Sequence, residues 1–280
     1  MVATDTSSPG TAYRGEFPNS TTSKPWTPPS AAPNSPRKSH PYTDWSNLPT
    51  GPKSLSGISL RAYLLGITTG TSILLTPYLL LQISTPLWRI PFFLLTLSLF
   101  HFLEYWTTAA YNTNYATVSA FLFSSNGSAY TIAHVSAFLE CIFSHLCYPN
   151  LHFLPFPRNL SPALGILLIF AGQIVRTIAM MQAGESFNHT VQTSRKEGHV
   201  LVTRGIYAYF RHPSYFGYFW WALGTQIMLG NYACFVGFAV VLWRFFSGRI
   251  WSEERFLVGF FGDDYTNYRK RTPVGIPFIR

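Results

Sequence analysis

Between residues 58 and 246 the chain is a succession of long apolar runs separated by short polar breaks. The runs are continuously apolar rather than alternating, which suits membrane-crossing helices of about 20 residues and not membrane strands. They predict a first span over 58–83, turned at Pro86, a second over 91–111, and a third over 130–148 preceded by a short membrane-embedded piece at 118–123. Beyond Pro149, Pro155 and Pro157 a fourth span is expected over 160–181, after which the chain is polar from Gly184 to Arg211. Apolar character resumes at Tyr215, breaks at Gly230 and Asn231, and continues to Phe246, the pattern of a tight helical hairpin. The expected fold is an all-α polytopic membrane protein with about six transmembrane helices, or eight if the stretch between the second and third spans divides further.

Residues 1–56 are rich in Pro, Ser, Thr and Gly and contain Arg37, Lys38 and Lys53. Such a segment has too little apolar surface to offset its ordering entropy, so it reads as a disordered N-terminal tail, with residues 57–280 as the membrane-embedded domain. No apolar core opens the chain, and no signal peptide is expected. Composition agrees: only 11% of residues are Asp, Glu, Lys or Arg, against about 25% in a soluble domain. The net charge of +9 would suit nucleic acid, but the basic residues stand at the ends of apolar runs, where they set membrane orientation instead. The positive-inside rule places 195–211, 249–280 and the tail together on the cytosolic side, which requires an even number of spans. Cys141, Cys147 and Cys234 are odd in number and lack ligand spacing, so neither a disulfide framework nor a metal site is expected.

Two polar clusters stand where spans meet the cytosolic face. One is Gly198-His199-Val200-Leu201-Val202-Thr203-Arg204-Gly205-Ile206-Tyr207 with Arg211-His212-Pro213-Ser214-Tyr215 and Gly217; the other is Arg244, Arg249, Glu253 and Glu254. Together they predict a cytosol-facing pocket open to a water-soluble cofactor from one side and a lipid-like substrate from the other. Glu104 and Glu140 are charges in apolar runs, where burial is costly and a function is the default expectation. His101, three residues before Glu104 on one helix face, is expected to pair with it. His134 and His145 lack ligand spacing and read as packing or interfacial residues, and Arg269-Lys270-Arg271 as a solvated basic patch near anionic lipid headgroups.

These residues resemble the isoprenylcysteine carboxyl methyltransferases. The resemblance is carried by the run from Gly198 to Gly217, Trp220-Trp221, Gly224, Gln226, Asn231, Glu253-Glu254 and the ending Phe261-Gly262…Tyr265…Tyr268…Pro273…Gly275-Ile276-Pro277-Phe278-Ile279. Upstream, His101-Phe102…Glu104-Tyr105 and Gly184…Phe187-Asn188-His189…Gln192 fit as well. It implies transfer of a methyl group from S-adenosylmethionine to the C-terminal carboxylate of prenylated, processed CaaX proteins, at the endoplasmic reticulum membrane with both termini cytosolic. It further implies that Gln192, His199, Val200, Leu201, Val202, Tyr207, His212, Pro213, Ser214, Tyr215 and Glu253 line the cofactor site, and that Arg249 faces the substrate carboxylate. Arg249 and Glu253 are thus the candidate catalytic residues.

Elementary chemistry is consistent with this assignment. A carboxyl group can accept from a cofactor amine or hydroxyl, histidines offer tunable donors and acceptors, and tyrosine faces favour a cation such as a sulfonium. Arg176, near the end of the fourth span, with Gly165, Ala171 and Gly172, is a candidate border of a lateral opening for the prenyl chain; close helix packing and a snorkelling arginine are the competing readings. Two other reactions fit the architecture: a phospholipid N-methyltransferase, whose amine nucleophile would not call for Arg249, and a sterol-reductase-like oxidoreductase, which would need more basic residues for its nicotinamide cofactor.

Overall fold

Seven α-helices joined by turns and 3₁₀ segments account for the regular structure in a computed structural model that describes residues 44–123, 125–148, 157, 160–195 and 198–280. Residues 1–43 of the expected tail lie outside the described residues. The remainder of that segment is folded: Trp45–Asn47 form a 3₁₀ turn in which the Asp44 carboxylate accepts from the Ser46 N–H at 2.9 Å, and the Pro52 carbonyl accepts from the Val118 N–H at 2.8 Å. Ser54 then caps α1 (Leu55–Pro77), its hydroxyl accepting from the Gly57 N–H at 3.1 Å.

Pro77 lacks an N–H to continue the α ladder, and the helix widens into a π turn at Tyr78–Gln82. A 3₁₀ turn over Pro86–Trp88 leads into α2 (Arg89–Tyr111), followed by α3 (Gly127–Cys147) and α4 (Ser161–Ala183). The chain then passes through an irregular polar stretch to α5 (Pro213–Leu229), α6 (Ala233–Phe261) and the short α7 (Asp263–Arg271). Among the described residues four segments, Leu55–Gln82, Pro86–Tyr111, Ser161–Ser186 and Ala233–Phe261, are long and apolar enough to cross a membrane. The embedded piece expected at 118–123 is a 3₁₀ turn, Val118–Phe121, whose Phe121 is fully buried.

Helices α4 and α5 approach at backbone distance because glycines face each other. A Cβ on Gly165 would lie 2.4 Å from the Met228 amide nitrogen, and one on Gly172 2.5 Å from the Gly217 carbonyl oxygen. These glycines therefore close a helix interface; they do not border a lateral opening.

The tip of the α5–α6 hairpin is clamped from two other helices. Gly230 turns the chain at φ 80°, Asn231 Nδ2 donates to the Ala137 carbonyl at 2.8 Å, and Arg89 Nη1 donates to the Leu229 carbonyl at 3.1 Å. The Glu140 carboxylate accepts from the N–H groups of Tyr232, Ala233 and Cys234 at 2.7, 2.8 and 2.7 Å, satisfying donors that the first turn of α6 leaves open. Glu140 thus acts as a helix cap supplied by another helix.

The apolar pattern predicts an end to the last span near Phe246, but α6 continues unbroken to Phe261, where Gly262 at φ 56° stops it. Nothing between them breaks a helix, and Phe246, Ile250 and Glu254 keep one face buried at a four-residue spacing. The polar residues ride on that continuation, which places Arg249 and Glu253 one turn apart.

Candidate active site

Proline suits the first turn of a helix, where its missing N–H is not needed, and Pro213 opens α5 directly after His212. That start fixes Ser214 and Tyr215 against the polar end of α6. The Tyr215 hydroxyl donates to Glu253 Oε2 at 2.6 Å and accepts from Arg249 Nε at 2.8 Å, so it links the two. Arg249 Nη2 also donates to the His189 carbonyl, while Nη1 makes no hydrogen bond among the described residues. The Tyr215 ring lies parallel to His212, with centroids 5.4 Å apart, and stacks on Phe246 at 5.1 Å.

Behind this link a second set of charges ties the start of α5 to α6 and to the C-terminal segment. Arg211 Nε donates to Glu254 Oε1 at 2.5 Å, His212 Nε2 lies 3.1 Å from the same oxygen, and Arg211 Nη1 donates to the Thr272 carbonyl at 2.9 Å. Arg211, His212 and Glu254 are all buried. Glu254 is therefore a structural partner and not part of a solvated face. The ending around Gly275 packs beneath it: a Cβ there would come within 2.5 Å of the Phe210 ring. Only glycine adopts its φ of 84° freely.

A cleft of about 100 Å³ runs along this assembly and shares His199, Val200, Leu201 and Phe261 with an outer groove of about 910 Å³. Of the residues expected around a cofactor, His199, Val200, Leu201, Val202, Tyr207, His212, Pro213, Ser214, Tyr215 and Glu253 all line the cleft. Gln192 lines a smaller adjoining recess with Asn188 and Glu253. Burial raises the Tyr207 and Tyr268 hydroxyls well above the usual phenol range, and the Tyr268 hydroxyl donates to the Tyr207 carbonyl at 2.6 Å. Burial also holds His189 down at about 4, so its ring is neutral at pH 7.

Comparison with known proteins identifies what this arrangement belongs to. The model of the isoprenylcysteine carboxyl methyltransferase family matches residues 164–259. A protein-S-isoprenylcysteine O-methyltransferase of Saccharomyces cerevisiae is 42% identical over 242 residues, covering 86% of this chain and 96% of that relative. The chain belongs to the isoprenylcysteine carboxyl methyltransferase family. The human protein-S-isoprenylcysteine O-methyltransferase is 40% identical over 80% of this chain and 75% of its own. The solved structure of a eukaryotic intramembrane Ras methyltransferase superposes with a TM-score of 0.70 at 35% identity, covering 80% of this chain and 77% of that one.

Within this isoprenylcysteine carboxyl methyltransferase, two further expected site residues do not line the cleft: Arg249, which reaches it through the Tyr215 hydroxyl, and Arg176. Arg176 is buried, forms a two-pronged ion pair with Glu104 (Nη2 to Oε2 at 2.7 Å), and donates Nη1 to the Ser214 carbonyl at 3.1 Å. It neither snorkels nor lines the cleft. Glu104 thus pairs across the bundle and not with His101, which hydrogen-bonds the Phe121 carbonyl at 2.7 Å and the Tyr130 hydroxyl at 3.0 Å. His134 and His145 also bond locally, to the Tyr130 and Cys141 carbonyls. Arg244 is exposed on α6.

Sequence reasoning left out Leu257 altogether and named Arg211, Phe261 and Tyr265 without placing them around the cofactor, yet all four line the cleft. Leu257 and Phe261 follow Glu253 at four-residue intervals, a signal that becomes readable once α6 is known to run past Phe246. Arg211 carries a different one, since its Nη2 is buried without a partner among the described residues. A buried donor of that kind normally has a partner, and the polar groups of a bound ligand would provide one.

Proposed function

We propose that this chain uses S-adenosylmethionine to methylate the C-terminal α-carboxylate of prenylcysteine in processed CaaX proteins. The observation that supports this most is the chain of contacts from Arg249, which stands outside the cleft lining, through the Tyr215 hydroxyl to Glu253, the last two lining the cleft. The donor set fits the methyl donor: a carboxyl group in Glu253, an unsatisfied guanidinium nitrogen on Arg211, aromatic faces in Tyr207 and Tyr215, and an apolar strip in Val200 to Val202. When bound, S-adenosylmethionine supplies an electrophilic methyl group on a sulfonium centre.

The nucleophile is the substrate's own carboxylate oxygen, ionised at neutral pH because its pKa is about 3.5. No general base is needed, and the protein's task is alignment and exclusion of water. Arg249 holds the carboxylate through Nη1, which its other contacts leave uncommitted, while Tyr215 and the His189 carbonyl fix the guanidinium plane. Glu253 accepts from the donor's amine or hydroxyl groups and braces Tyr215 in the same position. Alignment of this kind contributes roughly 7–11 kcal/mol in favourable cases.

Reading α3 and α5 as spans beside the four apolar segments gives six crossings, with both termini and the cleft facing the cytosol. The endoplasmic reticulum is the compartment this reading assigns, because processed CaaX substrates carry their lipid to that face.

Membranes containing the chain, given methyl-labelled S-adenosylmethionine, N-acetyl-S-farnesylcysteine and its unprenylated counterpart, test the proposal. Base-labile methyl ester should form on the prenylated compound alone and fall at least ~100-fold with Arg249→Ala and with Glu253→Ala. Label on lipid amines, or equal transfer to both compounds, would sink it.

A further inference from the structure

A second candidate site lies between α6, α7 and the C-terminal segment, and Arg211 is the one lining residue it shares with the cleft. Two depressions of about 450 and 460 Å³ meet between α6, α7 and residues 272–280, sharing Arg269, Ile279 and Arg280. One wall is cationic: Arg255, Arg269 and Arg280 line it, and Lys270 and Arg271 continue it. Against these stands the carboxylate of Glu254, 3.4 Å from Arg269 Nη1 and already paired with Arg211. Arg255, Lys270, Arg271 and Arg280 form no ion pair among the described residues.

The other wall is apolar and exposed. Trp251 is 64% accessible and Phe278 93%, and Val258 lines the same depression. Arg255 lies over the Trp251 ring at 4.9 Å, so cation and aromatic are held as one unit. Phe278 is held outward at a cost: its φ of 64° is a strained left-handed conformation for a bulky residue. The preceding turn is pinned where Trp243 Nε1 donates to the Pro277 carbonyl at 3.0 Å. Strain spent on presenting a phenylalanine outward makes sense where lipid, and not water, meets it.

We infer that this groove binds an anionic phospholipid, its phosphate between Arg255, Arg269 and Arg280 and its acyl chains along Trp251 and Phe278. Cationic residues beside exposed aromatics at the end of a membrane-crossing helix complement the negatively charged cytosolic leaflet in charge and in polarity. The site is separate from methyl transfer and would stand if that reading failed.

Native mass spectrometry of the full chain, released from detergent containing equal amounts of phosphatidylserine and phosphatidylcholine, tests the inference. At about 1 kcal/mol per cation near the headgroup, phosphatidylserine adducts should exceed phosphatidylcholine adducts roughly fivefold or more. The triple variant Arg255→Gln/Arg269→Gln/Arg280→Gln should bring the ratio close to one. If that variant does not fold, Arg255→Gln alone, exposed and outside any ion pair, should still lower the ratio. The Trp251→Ser/Phe278→Ser pair should reduce adducts of both lipids. Equal adducts on the unaltered chain, or a preference surviving removal of the arginines, would overturn the inference. So would full displacement by millimolar glycerophosphoserine, which carries the headgroup without chains, or by an acidic peptide.

Discussion

The hydroxyl of Tyr215 is the residue-scale feature on which the cleft turns. It donates to Glu253 and accepts from Arg249, so one oxygen sets the positions of both side chains. Tyr215→Phe keeps the ring against His212 and Phe246 and removes only that oxygen. Turnover should fall about 10- to 100-fold while thermal unfolding changes little, because misplacement by about an ångström costs on that order. Unchanged turnover with N-acetyl-S-farnesylcysteine would show that Arg249 and Glu253 hold their places without it. Such a link is hard to read from sequence. The motif names the three residues, but which atom bridges the others depends on helix positions.

At the scale of elements, α4 and α5 depend on contact between bare backbones. Gly172 has no room for a side chain: a Cβ would stand 2.5 Å from one α5 backbone atom and 2.6 Å from another. Gly172→Val should push α5 away from α4, and so shift Ser214 and Tyr215 relative to Glu253. A stability loss of roughly 1–3 kcal/mol is expected from overpacking, with a matching loss of activity. Gly237→Ala on α6 meets nothing within 4 Å and serves as the neutral control. Unfolding curves of both variants in detergent check this, and equal behaviour would mean that α4 and α5 can separate without consequence. The glycines were visible in the sequence, but not their role, since a small residue borders an opening as readily as it closes an interface.

Across the whole molecule the Glu104–Arg176 pair ties α2 to α4 and, through the Ser214 carbonyl, to the start of α5. Arg176 also sits 5.4 Å from the Phe100 and Tyr218 ring centres. Removing one charge leaves the other buried alone, which costs roughly 3–5 kcal/mol, whereas replacing both with apolar residues of similar volume costs far less. Glu104→Gln should therefore be markedly less stable than Glu104→Leu/Arg176→Met, as measured by denaturant unfolding. The reverse order would mean that water reaches the pair.

Hydropathy alone placed α1 to α5 to within a few residues and located the hairpin turn at Gly230 and Asn231. Burial in lipid and backbone hydrogen bonding are constraints that each segment meets by itself. Many residues around the cleft were legible because His199 to Val202 and Arg211 to Tyr215 are short local strings. The tertiary structure decided the pairings: Glu104 with Arg176 instead of His101, Glu140 on the first turn of α6, and Glu254 with Arg211 and His212. It also carried α6 past Phe246, because a helix with polar residues continues wherever the rest of the fold buries one of its faces. A charge inside a membrane protein must find a partner, but the choice of partner is set by distances across the bundle, which no local pattern encodes.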